Sequence, residues 1–348
     1  MRKILFVLAC CLPALLQAQQ PQFAVVRPNG TSYMCPTWDS AYKKAVDGDF
    51  IYLPGVTITT PIKIDKRLYI IGAGIHPDSS GATGKTVWNS GSDYIQLYSG
   101  ASGGSIEGVQ WETGISFIYT GKKINNYTIS RCKVGTILLQ GNTVPADSLP
   151  TNIHINECIL LQILGYNSRS INVVKSIIQG SIQDLISCNF ANNIFTYTSN
   201  VFYGVENSIL QNNIFLSTQP LHPSYPNRCS NNLYNNLGIA TNGGTFLNGC
   251  PSNTGIEQNT MVDGSTNYIF NSYSTSYTFP FGNNFHLKST CIGKNAGTDG
   301  TDVGIYGTSQ PTSEGWVPSN PHIYFKQIDP QTGTNGNLKI QVKVRTNN

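Results

Sequence analysis

INECIL (155–160), VVKSII (173–178), FANNIF (190–195) and LQNNIF (210–215) share one pattern: an apolar residue, then Cys, Ser or Asn three positions later, then apolar residues again. ISRCKV (129–134) precedes them, and CSNNLY (229–234), IEQNTM (256–261) and a weaker FGNNFH (281–286) follow. The fourth residues are Cys132, Cys158, Ser176, Asn193, Asn213, Asn232, Asn259 and Asn284, at spacings of 26, 18, 17, 20, 19, 27 and 25. SIEGVQW (105–111) and LYIIGAG (68–74) read as degenerate turns of the same kind. Short β-branched and aromatic runs at a period near 20 fit one coil of a parallel β-helix, in which each strand pairs with its equivalent one coil along. The recurring Asn has a physical reason. A stacked bend buries backbone polar groups, and an amide both donates and accepts, so one Asn per coil satisfies a whole column of them. A propeller blade needs about 40 residues and its own signature, which is missing. Asn213, with Asn windows on both sides, is expected to be buried and amide-bonded to neighbouring coils.

Composition agrees. Charged residues make up 11% of the 348, against about 25% in ordinary soluble domains. Polarity comes instead from 35 Asn and 34 Gly, together with hydroxyls, a mix suited to short strands and many tight turns. Mean hydropathy is −0.16, and no apolar run reaches the roughly 18 residues of a membrane span. Aromatics at 10% and hydrophobic residues at 39% exclude a disordered chain.

The first 18 residues read as a signal peptide. Arg2 and Lys3 supply the charged start, Ile4 to Leu16 the apolar stretch, and Leu-Gln-Ala the small-residue site before Gln19. A periplasmic, outer-surface or extracellular location follows as the expectation. Without the signal the chain has 20 basic and 18 acidic residues, a balance of +2 that argues against a nucleic-acid partner. Cys10 and Cys11 leave with it, and the remaining seven of nine cysteines lack the CxxC pairs of a zinc site. They read as small buried hydrophobes, and their odd number leaves at least one free thiol.

TWDSAYKKAV (37–46) has Trp38, Ala41, Ala45 and Val46 on one helical face behind an N-cap at Thr37. DGDFIYLPG (47–55) and PIKIDKRLYIIGAG (61–74) follow it. With the ladder, this order resembles the pectin-lyase-like superfamily of right-handed parallel β-helices, whose capping helix covers the open end of the coil stack. GTDGTDVGIYG (297–307) is similar to the segment that commonly closes such domains in exported proteins of Bacteroidetes-type bacteria. The resemblance covers roughly residues 25–317. It implies an all-β, single-stranded right-handed parallel β-helix over residues 19–317 with an N-terminal capping helix. Residues 308–320 read as a linker or wrap. In 318–348, PHIYFKQI (321–328) pairs with a strand alternating Leu338, Ile340, Val342 and Val344 against Lys339, Gln341, Lys343 and Arg345. Two strands alone are marginal in water, so a half-buried, hairpin-like C-terminal cap on the helix end is expected.

Enzymes of that superfamily act on acidic polysaccharides, and their motifs are missing here. There is no adjacent Asp pair or Gly-His-Gly for a hydrolase, and no clustered Asp triple for a calcium-dependent lyase. Arg131-Cys132-Lys133 mimics an Arg-x-Lys tripeptide but lies upstream of any acid, and NYIFN (267–271) is a faint echo of an esterase pattern. One row keeps catalysis open. The residues before the ladder positions run Arg131, Glu157, Lys175, Asn192, Asn212, Asn231, Gln258 and Asn283. The first three would stack about 4.8 Å apart on successive coils. The superfamily's alginate- and dermatan-type lyases use a Lys/Arg pair, which would make Lys175 the base and Arg131 the uronate partner. Alternating charge is also how an exposed row avoids stacking like charges, and that structural reading, with Lys175 facing solvent, is the one carried forward.

His76, His154, His222, His286 and His322 have no metal-ligand spacing, so neither metal nor cofactor is expected. STQPLHPSYPNR (217–228) is a proline-rich excursion that offers His222, Tyr225 and Arg228 to a sugar, and NYIFNSYSTSYTF (267–279) offers Tyr268, Tyr273 and Tyr277. The expectation is an exported, monomeric, non-catalytic β-helix that binds polysaccharide or cell-surface glycan, or serves as a surface or adhesin-like module. The alternative is a divergent polysaccharide lyase or glycoside hydrolase acting on acidic polysaccharide.

Overall fold

The computed structural model describes residues 22–139, 145–217, 232–234, 236–238, 257–258, 261–262, 269–274, 279–329 and 337–345. They form a right-handed parallel β-helix of about eight turns with a single helix at its N-terminal end. Three columns of parallel strands make its walls. One column stacks Phe50–Tyr52, Tyr69–Ile71, Ser105–Glu107, Thr128–Ser130 and Thr151–Asn156 in register, so LYIIGAG and SIEGVQW are coils of the same stack. Farther along, Asn189–Ala191 carries Ile209–Gln211, which carries Asn232–Tyr234. The second column stacks Ile177–Ile178, Ile194–Phe195, Ile214–Phe215 and Leu237–Gly238. The third includes Ile95–Leu97 beneath Gln110–Phe117 and Ile182–Ile186 beneath Phe202–Glu206.

The N-terminal cap forms as its sequence dictates. Thr37 Oγ1 accepts a hydrogen bond from the Ser40 amide, and Ser40 Oγ accepts one from the Thr37 amide, closing a capping box ahead of the helix Trp38–Lys44. Asp39 in the first turn and Lys43 and Lys44 in the last suit the helix dipole. Trp38 meets Trp88 edge-on at 5.0 Å and so covers the open end of the core. Ala45 is buried as the C-cap, whereas Val46, expected on the same face, is exposed because the helix has already ended.

Inside, the ladder works as the repeat implied. Asn193, Asn213 and Asn236 are fully buried. Each side-chain oxygen accepts from the backbone amide one coil back: Ser176, Asn193 and Asn213 respectively, all at 2.9 Å. Each Nδ2 donates back to the carbonyls of Val173, Phe190 and Leu210, all at 2.8 Å. Ser176 Oγ does the same for the Cys158 amide at 3.0 Å. The register Ile209↔Asn232 places Asn232 on a strand, and the ladder position four residues later is held by Asn236. The doubled NN in SNNLYNNLG hid this shift. Asn284 also departs from the expectation: it is exposed on Asn284–Leu287, which runs antiparallel to Phe270–Ser272 outside the coil stack. Asn259 lies outside the described residues.

The residue before each ladder position has left-handed backbone: φ is 49° at Arg131, 53° at Glu157, 49° at Lys175, 56° at Asn192 and 55° at Asn212. Gly108 (φ 68°) fills the same corner one coil earlier. Asn and Gly visit this region readily, whereas other residues accept about 1–2 kcal/mol of strain. Three charged residues therefore hold a conformation that costs them, and something must hold them there.

Two apolar cores explain why two hydrophobic residues follow the ladder position. Phe195 and Phe215 point inward and stack at 4.7 Å. Ile159, Ile177, Ile194, Ile214 and Leu237 are the outward column. They are buried because residues 269–274 and 279–317 return along this flank, laying Phe270, Phe279, Phe285, Leu287, Val303, Ile305 and Trp316 against or beside them. GTDGTDVGIYG thus straps the side of the helix. Gly304 (φ 88°) is required there, since a Cβ would lie 2.6 Å from Ile214 Cδ1.

The C-terminal hairpin forms as expected, with His322–Ile328 antiparallel to Ile340–Arg345. Its burial does not: Ile340, Val342 and Val344 are 57%, 46% and 56% exposed, so its apolar face is not docked on the coil stack.

Cys35, Cys132, Cys158, Cys188 and Cys291 are free and buried, as small hydrophobes should be; Cys229 and Cys250 lie outside the described residues. Burial pushes the Cys132 and Cys188 thiols up from 9.0 to about 12. Their neutral forms stabilise the fold fully below about pH 9, and that contribution is lost as pH rises toward 12. Thermal melts should therefore fall steeply above pH 9, and less steeply in Cys132→Val. Equal slopes in parent and variant would show that this thiol is not desolvated.

Candidate functional site

The charged row is built by the corner just described, and it is covered. Arg131 Nε donates to Glu157 Oε2 at 2.8 Å, and its Nη1 donates to Glu107 Oε1 at 2.9 Å. Burial weakens the guanidinium's hold on its proton, but the bond to Glu157 and the charges of Glu157 and Glu107 outweigh this, and the net shift is upward. Glu157 is 4% exposed. Glu107 Oε1 also accepts from the Ser319 amide at 2.7 Å, and Oε2 accepts from Ser319 Oγ at 3.0 Å. Lys175 Nζ donates to the Gln310 carbonyl.

Farther along the same row, Asn192 Nδ2 donates to the Gly304 carbonyl at 3.3 Å. Asn212 exchanges two 3.0 Å hydrogen bonds with Thr298. Lys175, Asn192 and Asn212 of the row each hold the returning strap, as Glu107 does beside the row's first corner, while Arg131 ties Glu157 to Glu107 between them. Its expected exposure to solvent is overturned, because the strap lies on it. Chemically, Lys175 as placed has a carbonyl partner, and Arg131 is engaged by two carboxylates. Glu107, which anchors the strap's end, was not singled out in the sequence, where SIEGVQW gave no sign of a distant partner.

The row's chemistry being spent, the other candidate lies where strap and coil meet. A cleft of about 200 Å³ opens beside the strand ends Ile178 and Phe195. Gln179, Thr196, Tyr197 and Thr198 line it from the coils, and Tyr273, Ser274, Phe279, Pro280, Asn283 and Phe285 from the returning chain. Tyr197 packs against the inner core, and Tyr273 against the outer. Burial raises the Tyr273 hydroxyl's pKa, and its bond to Thr196 lowers it in part. Asn283 is fastened to Ser274: its Oδ1 accepts from the Ser274 amide at 3.0 Å and hydroxyl at 3.2 Å, and its Nδ2 donates to the Ser274 carbonyl at 3.2 Å. The rim is therefore fixed, and among the described residues no charged side chain lines it.

Of the sequence candidates, Tyr273 is in this cleft. His222, Tyr225, Arg228, Tyr268 and Tyr277 lie outside the described residues. Tyr197 and Gln179 were not singled out, although Gln179 directly follows the ladder strand Ile177–Ile178 and Tyr197 lies two residues past the end of Ile194–Phe195, where a coil's turn begins. Among the described histidines, His76 packs against Phe281 and Trp316, and His286 stacks on Tyr306 at 3.8 Å beside Glu314. No group of three or more His, Cys, Asp or Glu among the described residues is arranged to hold a metal ion. No helix among them is long and apolar enough to cross a membrane. Comparison with protein-family models, with curated proteins and with solved structures gave no match.

Proposed function

We propose that this chain is an exported, non-catalytic β-helix of the pectin-lyase-like kind that binds glycan in the cleft between its coils and its strap. The observation that carries the reading is the cleft's lining: two tyrosines with apolar faces, surrounded by amides and hydroxyls on a fixed rim. Apolar walls with a few placed polar groups are what a ligand pocket needs, and a tyrosine offers both a flat face and a hydrogen-bonding tip. The charged row supports the non-catalytic part, because Lys175 and Arg131 are engaged by groups of the same chain. The resemblance of the cap and first coils to the superfamily supports the plan, and the signal-like N-terminus supports export.

The test is turnover. The parent protein incubated with pectate, alginate or chondroitin should give no growth of unsaturated-uronate absorbance, while immobilised glycan retains it. A general base supplies about 10²–10⁴-fold in rate, so a working Lys175 would be conspicuous. Time-dependent absorbance that is lost in Lys175→Ala would overturn the non-catalytic reading.

A further inference from the structure

The acidic sugars of the superfamily are a poor match to this cleft. We infer that the cleft takes a single uncharged sugar unit of a longer chain, a neutral hexose-type residue and not a uronate; this rests on the glycan-binding reading above.

Among the described residues that line the cleft there is no cation. A carboxylate entering it would lose hydration without gaining a partner, and unpaired buried charge is among the costliest arrangements a protein can hold. Arg131 and Lys175 of the charged row are committed elsewhere, Arg131 to Glu157 and Glu107 and Lys175 to the strap. A neutral pyranose presents what the walls accept. Its C–H face lies on an aromatic ring, and its hydroxyls pair with an amide or hydroxyl.

The polar groups divide into two sets. Asn283 and Tyr273 are spent on holding the rim through Ser274 and Thr196. Gln179 and Thr198 have no side-chain hydrogen bond among the described residues and are left to face a ligand. Volume sets the extent. About 200 Å³ is below the roughly 300–1,000 Å³ of pockets that enclose a drug-sized ligand. One unit is held and the chain runs on past it.

The experiment is calorimetric or array titration of the full chain with two panels: neutral oligosaccharides (glucan, mannan, galactan) and uronate oligosaccharides (pectate, alginate, chondroitin). A neutral oligosaccharide should bind with affinity unchanged by added salt. Affinity should fall at least tenfold in Tyr197→Ala and in Thr198→Arg, the second being an exposed position where folding is not at stake. Binding confined to the uronate panel, or neutral binding that neither variant weakens, overturns the neutral-sugar inference and leaves glycan binding standing. Binding to neither panel overturns the glycan-binding reading itself, and the inference with it.

Discussion

Asn213→Leu is expected to be among the most destabilising single changes in this protein. Leucine fits the space but carries neither function of the amide. The Asn193 amide loses its 2.9 Å acceptor and the Phe190 carbonyl its 2.8 Å donor, both in the buried interior. Each unpaired group costs about 1–3 kcal/mol, so a loss of about 2–6 kcal/mol is expected. Asn213→Ser should cost less, because Ser176 and Ser208 already show that a hydroxyl can take the inter-coil amide, at 3.0 Å in each case. Urea or thermal unfolding of the three proteins checks this. A Leu variant as stable as the parent would contradict the inward placement of the amide column.

Glu157→Ala carries the second large effect. On an exposed row it would be near neutral, since surface pairs are worth about 0–1 kcal/mol. Glu157 is buried, and it holds an Arg131 side chain that is itself only 16% exposed. Removing one partner of a buried pair typically costs about 3–5 kcal/mol. Glu107 remains on the guanidinium, so about 2–4 kcal/mol is expected. Glu157→Gln should recover part of it by keeping an acceptor for Arg131 Nε. A near-neutral Ala variant in the same unfolding measurement would return the row to the solvent-facing role first read from its alternating signs.

What the sequence made legible was whatever repeats. Each coil solves the same problem of buried bend polarity, so the Asn column and the parallel pairing are visible as a period. The capping helix was legible too, because Thr37 and Trp38 carry local signals for a cap and a buried face. The register error at Asn232 arose where a longer excursion separates two coils and the motif occurs twice within six residues.

The strap was not legible, because it does not repeat. Nothing local in Ile159, Ile177, Ile194 and Ile214 distinguishes an outward residue that will be covered from an inward one. Nothing in Glu107 announces a partner 212 residues away. The same gap concealed the cleft, whose two walls come from segments far apart in the chain. The charged row was found by its spacing, but its role depended on what lies over it, and spacing carries no such information.

That role is the central claim: Glu107, beside the row's first corner, and Lys175, Asn192 and Asn212 of the row clasp the returning strap. Glu107→Ala removes the two hydrogen bonds to Ser319. Hydrogen exchange followed by mass spectrometry, comparing parent with Glu107→Ala, tests it most directly. The clasp predicts faster exchange in the peptide spanning 316–320, with the ladder amides of Asn193 and Asn213 protected as before. Unchanged exchange across 316–320 would contradict it.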